Sequence, residues 1–161
     1  MNMLTFNGLV RIDNATLKPE LDLASDYKVE NDVDWIFTLK QGVKFHNGEE
    51  MTSEDVKYSL ERCIANPGVN YNYLIIESIT CDDDYTVTIK TSAPFNALLY
   101  RLSLDAASII CKSADTSAEE FNKNPVGTGP FKFVSRTPQQ DFVMERFEDT
   151  GAPGVAGQGH L

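Results

Sequence analysis

The sequence has little positive charge and almost no histidine. Among 161 residues, 14 Lys and Arg stand against 24 Asp and Glu, which gives a formal net charge of −10. Nucleic-acid binding draws on clustered Lys and Arg that neutralise phosphates, so this balance disfavours a nucleic-acid partner. With His46 and His160 as its only imidazoles, the chain also lacks the usual supply of general bases. We therefore expect no enzymatic activity.

Long apolar runs and cysteine pairs are absent as well. No window approaches the roughly 20 apolar residues of a membrane helix, and the N-terminus lacks the basic-then-apolar pattern of a secretion signal. The three cysteines, Cys63, Cys81 and Cys111, form no Cys-x-x-Cys pair, which disfavours zinc or redox chemistry. We expect buried, unpaired thiols, although a bridge between Cys81 and Cys111 is compatible with the sequence.

The composition still supports one folded domain. Hydrophobic residues make up 42% of the chain, which is enough for a core at this length. We predict that residues 1–148 fold and that residues 149–161, which are rich in Gly and Ala, form a flexible tail, either a linker or an appended remnant.

Alternation of apolar and polar residues predicts antiparallel strands. A short strand should end near Asp13, and residues 17–25 should form a loop, because Pro19 lacks the N–H that a central strand needs. Three hairpins are predicted, with strands at 27–30 and 35–39, at 74–81 and 85–91, and at 131–134 and 142–147. In the first hairpin, the face shared by Trp35, Phe37 and Leu39 should be core.

From Thr52 the hydrophobic period becomes helical. Thr52 is a suitable N-cap with Asp55 in the reciprocal position, and the helix should stop near residues 66–68. Its apolar stripe consists of Val56, Leu60, Cys63 and Ile64. Short helices are expected at 95–104 and 117–122, and a buried strand at 108–111. The predicted fold class is α+β, an antiparallel sheet with short helices on one side.

Several motifs have a plain structural interpretation. His46 precedes Asn47-Gly48, a strong turn signal, which favours an exposed turn histidine over a general base. The three aspartates at 82–84 lack the spaced ligands of a calcium loop and indicate a solvated hairpin tip. The sequence thus predicts no catalytic residue, no metal site and no cofactor.

Two short segments are candidates for ligand contact. Gly127-Thr128-Gly129 lacks the ending of a phosphate loop and precedes a strand, which indicates a tight turn. Tyr71 and Tyr73 lie in a predicted loop, where aromatic side chains with a hydroxyl suit ligand contact. The alternative for both tyrosines is that they cap the core.

Two sequence blocks carry a family resemblance. The first consists of WIFTLKQGVKFHNG at 35–48 and MTSEDVKYSLER at 51–62, and the second of NPVGTGPF at 124–131. In order and spacing they resemble the peptide- and nickel-binding class (family 5) of extracellular solute-binding proteins, the receptors of ABC importers. The resemblance extends from about residue 4 to 147, and one departure is Asn47, where Asp is usual.

The resemblance implies one subdomain of the first lobe of a two-lobed, periplasmic-binding-protein-like (class II) fold. The parent would be periplasmic or a cell-surface lipoprotein, and would deliver peptides or a related small solute to the permease subunits of an ABC transporter. Relatives hold their ligands between two lobes, so without the second lobe we expect weak binding or none. The resemblance also places the candidate ligand contacts near the cleft: Tyr71, Tyr73, Gly127, Thr128 and Gly129.

Two other functions compete with a transport receptor. One is a protein-protein interaction module that docks through its sheet face, which a large exposed apolar patch on that face would support. The other is a hydrolase, which the shortage of histidine disfavours. The ligand of the parent stays open among dipeptides, oligopeptides, nickel chelates, haem and sugars.

Overall fold

The computed structural model describes residues 6–104, 107–115, 117, 126–129, 131–137 and 141–146. Within these ranges the elements are, in chain order, β1 (Val10–Ile12), β2 (Pro19–Leu21), β3 (Ala24–Glu30), β4 (Asp34–Leu39), α1 (Ser53–Ala65), β5 (Ile76–Asp83), β6 (Thr86–Thr91), α2 (Leu98–Leu102), β7 (Phe131–Thr137) and β8 (Asp141–Arg146). Single 3-10 turns lie at Asn70–Asn72 and Lys112–Ala114. The class is α+β, as predicted.

The prediction of a loop over residues 17–25 was wrong. Pro19–Leu21 forms β2, which pairs antiparallel with β1 so that Ile12 faces Pro19. The proline is tolerated because it is the first residue of a strand in a two-stranded sheet, where no central ladder needs its missing N–H. β3 then begins at Ala24, within the span that was expected to be irregular.

The main sheet is antiparallel, with strand order β3-β4-β6-β5. The β3-β4 hairpin was predicted, and its turn places Asn31 and Asp32 at positive φ, which these residue types tolerate. Trp35, Phe37 and Leu39 alternate along β4 and are buried, which confirms that their face is core. The hairpin of β5 and β6 also forms, with exposed aspartates at its tip.

Helix α1 packs on β5 and β6 with a buried stripe that contains Val56, Leu60 and Cys63. Asp55 Oδ2 accepts a hydrogen bond from the Thr52 N–H at 3.0 Å, so the predicted cap is present. The helix ends at Ala65, with Asn66 as its C-cap before Pro67. Both predicted ends are therefore confirmed to within a residue.

The predicted strand at 108–111 is wrong, although the burial it implied is right. Residues 107–111 are buried without strand pairing. The Ile109 N–H donates to Asn7 O at 2.8 Å, and the Ile110 N–H donates to Ser59 Oγ of α1 at 2.9 Å. The backbone is thus satisfied by a loop and a helix side chain rather than by a neighbouring strand.

The predicted hairpin near the C-terminus forms from β7 and β8, with Phe131 facing Arg146 and Thr137 facing Asp141. The predicted helix at 117–122, apart from Ser117, and the predicted tail at 149–161 lie outside the described residues. In the part of the chain that the structure describes, no helix is long and apolar enough to cross a membrane.

No disulfide forms between the three cysteines, all of which lie in the described part of the chain, as predicted. Cys63 and Cys111 are buried, whereas Cys81 is only half-buried, so the expected burial holds for two of them.

Candidate functional site

The turn over residues 43–51 meets residues 127–129, here called the Gly-Thr-Gly segment, through His46, which lies 81 to 83 positions away from the two glycines in sequence. The His46 N–H donates to Gly127 O at 3.0 Å. On its side chain, His46 Nε2 lies 2.9 Å from Gly129 O, and Nδ1 accepts a hydrogen bond from the Gly127 N–H at 3.4 Å. One histidine therefore holds both glycines of the segment.

These partners assign the protonation of the ring. A carbonyl oxygen can only accept, so Nε2 must carry a proton and donate it to Gly129 O. Because the Gly127 N–H points at Nδ1, that nitrogen must be unprotonated. The hydrogen bonds assign His46 as the neutral Nε2–H tautomer.

The prediction that His46 is an exposed turn residue was wrong, because only 5% of it is exposed. The turn itself is present, with Gly48 at a φ of 88°. The preceding residues fold inward, and Val43 and Phe45 are fully buried beside it. A local pattern can indicate a turn, but it carries no sign of a partner 81 to 83 positions away.

The Gly-Thr-Gly segment is buried throughout and leads into β7. Thr128 is fully buried, and its Oγ1 has no hydrogen-bond partner among the described residues. Ligand contact by Gly127, Thr128 and Gly129 stays a prediction, since their surfaces are covered in this chain.

The two candidate tyrosines occupy different environments. Tyr73 is fully buried, and its hydroxyl donates to Arg101 O of α2 at 3.2 Å, which fits the alternative that it caps the core. Tyr71 is 71% exposed. Tyr73 is bonded to α2, whereas the Gly-Thr-Gly segment is bonded to His46. The two groups of candidate residues are therefore held by different parts of the fold.

A second polar network anchors the 43–51 turn and was missed by the sequence analysis. Glu49 Oε2 accepts hydrogen bonds from the Ser113 hydroxyl and from Cys111 Sγ, the latter at 3.2 Å. Asn47 Nδ2 donates to the same sulfur at 3.4 Å. The bonds from Ser113 and Cys111 lower the pKa of the Glu49 carboxyl. The turn is thus fixed on two sides, by this network and by His46.

A shallow groove of about 460 Å³ lies between α1 and β5. Its charges are already paired across the surface: Lys112 Nζ lies 3.2 Å from Glu54 Oε2, and Lys57 Nζ lies 3.8 Å from Glu61 Oε1. Exposed pairs of this kind contribute little free energy. None of the predicted site residues lines the groove.

No group of three or more His, Cys, Asp or Glu side chains in the described ranges is arranged to hold a metal ion. At the aspartate-rich hairpin tip, Asp83 Oδ1 accepts the Tyr85 N–H at 2.8 Å, and Asp82 accepts the Thr88 hydroxyl. The tip is exposed, in agreement with its interpretation as a solvated turn.

Comparison with known proteins gives a consistent family. Residues 18–156 match the model for bacterial extracellular solute-binding proteins, family 5 Middle. The glutathione-binding protein GsiB of Pectobacterium atrosepticum is 37% identical over 140 residues, which cover 83% of this chain and 27% of GsiB. The transcriptional regulator SgrR of Yersinia enterocolitica is 29% identical over 144 residues, which cover 89% of this chain and 25% of SgrR.

Among solved structures, the periplasmic binding protein DppA of Helicobacter pylori in complex with the peptide STSA superimposes with a TM-score of 0.80 at 29% identity. The match covers 93% of this chain and 35% of DppA. The chain spans about a quarter of the length of the curated relatives it matches.

Proposed function

The chain belongs to the bacterial extracellular solute-binding proteins of family 5, and on that premise we propose that it works within a longer receptor that delivers a peptide or related small solute to an ABC transporter. The observation that carries this proposal is the family match over residues 18–156. The α+β architecture agrees with it, since the similar structures are class II periplasmic binding proteins. GsiB and DppA are named for a peptide ligand or solved with one, which favours peptides as the solute class.

Within that receptor, this chain would supply scaffold and part of one cleft wall. Tyr71 is the candidate for direct contact, because it combines 71% exposure with an aromatic ring and a hydroxyl. Tyr73 would support it from the core. The Gly-Thr-Gly segment, which is buried in this chain, would support that wall through the backbone of Gly127, Thr128 and Gly129 near the place where the two lobes meet.

The isolated chain should bind solute weakly or not at all. Ligand sites of this kind bury most of the ligand between opposing walls. In the described part of the chain, the Gly-Thr-Gly segment is covered, and the groove beside α1 is shallow and lies elsewhere.

Titration calorimetry against mixed di- to pentapeptides tests both proposals. We expect this chain to show a Kd weaker than about 1 mM, and a protein extended to the length of GsiB to bind in the micromolar range. Micromolar binding by the chain alone would contradict the weak-binding proposal. An extended protein that binds none of the peptides, nickel chelates, haem or sugars would contradict the transport function.

A second candidate is a domain of a transcriptional regulator. The match to SgrR, an HTH-type transcriptional regulator, favours it. Cell fractionation of the natural protein separates the two candidates. A receptor should be found in the periplasmic or membrane-attached fraction, and a regulator in the cytoplasmic fraction with DNA.

The protein-protein interaction module gains no support from the sheet. Among the paired positions of its face opposite α1, Ile36 is the single apolar side chain and the rest are polar: Asp26, Lys28, Glu30, Asp34, Thr38, Ser78, Thr80, Asp83, Thr86, Thr88 and Lys90. A large apolar patch on that face would have favoured docking. A stable dimer in light scattering, lost on changing that face, would revive the proposal.

A further inference from the structure

His46 makes a pair of contacts that few side chains could reproduce. Its ring donates from Nε2 to Gly129 O and accepts at Nδ1 from the Gly127 N–H. A neutral imidazole carries a donor and an acceptor on one rigid ring, so it can bind two backbone groups that lie two residues apart. Phenylalanine would bind neither group, and asparagine or glutamine would reach only one of the two positions.

Two of the three residues in the segment that receives these bonds are glycines, and the hydrogen bonds described for the segment go to the ring and the backbone N–H of His46. Gly127 and Gly129 carry no side chain, and glycine loses more conformational freedom on ordering than any other residue. Both are buried, so a backbone group without a partner would carry a desolvation penalty. The bonds to His46 therefore oppose a real tendency of this segment to take other conformations.

His46 is itself held in place by the turn around it. The Phe45 N–H donates to Glu49 O at 2.8 Å, and the Met51 N–H donates to Val43 O at 2.8 Å. Val43, Phe45 and Met51 are fully buried. The ring thus projects from a rigid support.

We propose that His46 is a positioning residue for solute binding, one that sets the backbone of the Gly-Thr-Gly segment without touching the solute. This inference rests on the proposed function for its role at the cleft, but its structural part concerns this chain alone. The structural part requires one arrangement: the neutral Nε2–H form of His46 must lie between the backbone groups of Gly127 and Gly129.

The structural part is tested by NMR on this chain. With ring-labelled histidine, His46 should show a protonated Nε2 and an unprotonated Nδ1. His46→Asn should keep an acceptor near Nδ1 and retain protection of the Gly127 amide from hydrogen exchange, whereas His46→Gln and His46→Phe should lose it by at least about tenfold. Gln41→Ala, at an exposed position just before the 43–51 turn, is the control and should change nothing.

Guanidinium unfolding of each variant separates a local change from loss of the fold. A ring protonated at Nδ1, or a Gly127 amide as protected in a folded His46→Phe variant as in the parent chain, would overturn the proposal. If His46→Phe does not fold, protection of the Gly127 amide is compared between His46→Asn and His46→Gln. The first variant keeps an acceptor for that amide and the second does not, so equal protection in the two would overturn the proposal.

The role at the cleft is tested in the extended protein by calorimetry. We expect His46→Phe to weaken peptide binding at least about tenfold and His46→Asn to restore part of the loss. Unchanged affinity in a folded His46→Phe variant would overturn the positioning role. An extended protein that binds no solute would instead contradict the proposed function, while the NMR result on this chain would still decide the geometry.

Discussion

Asp22 is an acidic residue in a buried site that disfavours a charged side chain. It is 7% exposed, and burial raises the pKa of its carboxyl, while the positive charges of Arg11 and Lys40 lower it only in part. In the described contacts these cations form no ion pair with Asp22. The folded state therefore favours the protonated acid more than the unfolded state does.

We expect Asp22→Asn to stabilise the chain near pH 7 and to have little effect near about pH 3. At low pH the carboxyl is protonated in both states, so no difference arises. As pH rises through the unfolded-state pKa and then the raised folded-state pKa, the native protein buries a charge and loses stability. Thermal unfolding at both pH values measures this, with Asp84→Asn on the exposed hairpin tip as the control.

The cysteines should differ in reactivity. Burial raises the pKa of the Cys63 thiol to about 11 and also raises that of Cys111, so both are poor sources of thiolate. Cys81 is half-buried at the α1-β5 groove. At about pH 8, iodoacetamide should label Cys81 first.

Peptide mapping by mass spectrometry would measure the order of labelling. In guanidinium all three cysteines should react at similar rates, which serves as the control. Labelling of folded Cys63 as fast as Cys81 would contradict the burial seen here.

At the scale of single residues, the sequence predicted an environment correctly where residues close by in sequence determine it. The cap formed by Thr52 and Asp55 is encoded within four residues and was predicted. The burial of His46 depends on a segment more than 80 positions away, and the burial of Tyr73 depends on α2. No local pattern of apolar residues contains that information.

Among the elements, α1 depends on one side chain for two connections. Asp55 Oδ2 accepts the Thr52 N–H at the helix start, and Oδ1 accepts the Lys112 N–H at 2.9 Å. The carboxylate thus caps the helix and also fixes the buried segment that follows residue 107.

Asp55→Ala should therefore cost more than a cap alone, about 2–3 kcal/mol of unfolding free energy. Glu54→Ala is the matched control, because Glu54 lies in the same first turn but forms only an exposed ion pair with Lys112. We expect it to cost less than about 1 kcal/mol. Guanidinium unfolding gives both values, and equal losses would contradict the double role of Asp55.

The elements that were predicted are those with a clear period. The hairpins of the main sheet alternate apolar and polar residues, and α1 repeats its apolar residues every three to four positions. β2 has three residues and begins with Pro19, so it offers neither period nor propensity. Residues 108–111 are as apolar as a buried strand, but their hydrogen bonds go to Ser59 and Asn7.

At the scale of the whole molecule, four of the seven large apolar side chains that are exposed in the described residues lie beside the contact of α2 with the 3-10 turn at Asn70–Asn72. Arg101 Nη1 donates to Asn72 Oδ1 at 2.6 Å and joins the two segments. Four large apolar residues flank this contact and are 40–71% exposed: Tyr71, Leu74, Tyr100 and Leu104. Such a concentration is typical of a surface that another part of a protein covers.

We expect the chain to self-associate weakly through this surface, because joining two copies removes apolar area from water. Replacing Leu74 and Tyr100 with serine should abolish the association and change stability by less than about 0.5 kcal/mol. Sedimentation velocity over a concentration series measures it. Leu17→Ser, at an exposed apolar position elsewhere, should leave the association unchanged.

The contact between His46 and the Gly-Thr-Gly segment also bears on how the chain folds. Closing a loop of 81 residues costs about 4 kcal/mol of chain entropy, whereas the β3-β4 hairpin closes over a few residues. Contacts so distant in sequence slow folding, because the chain loses the entropy of the closed loop before the contact contributes any stabilisation. The main sheet can therefore assemble early, and the Gly-Thr-Gly segment becomes native only when residues 127–129 reach His46.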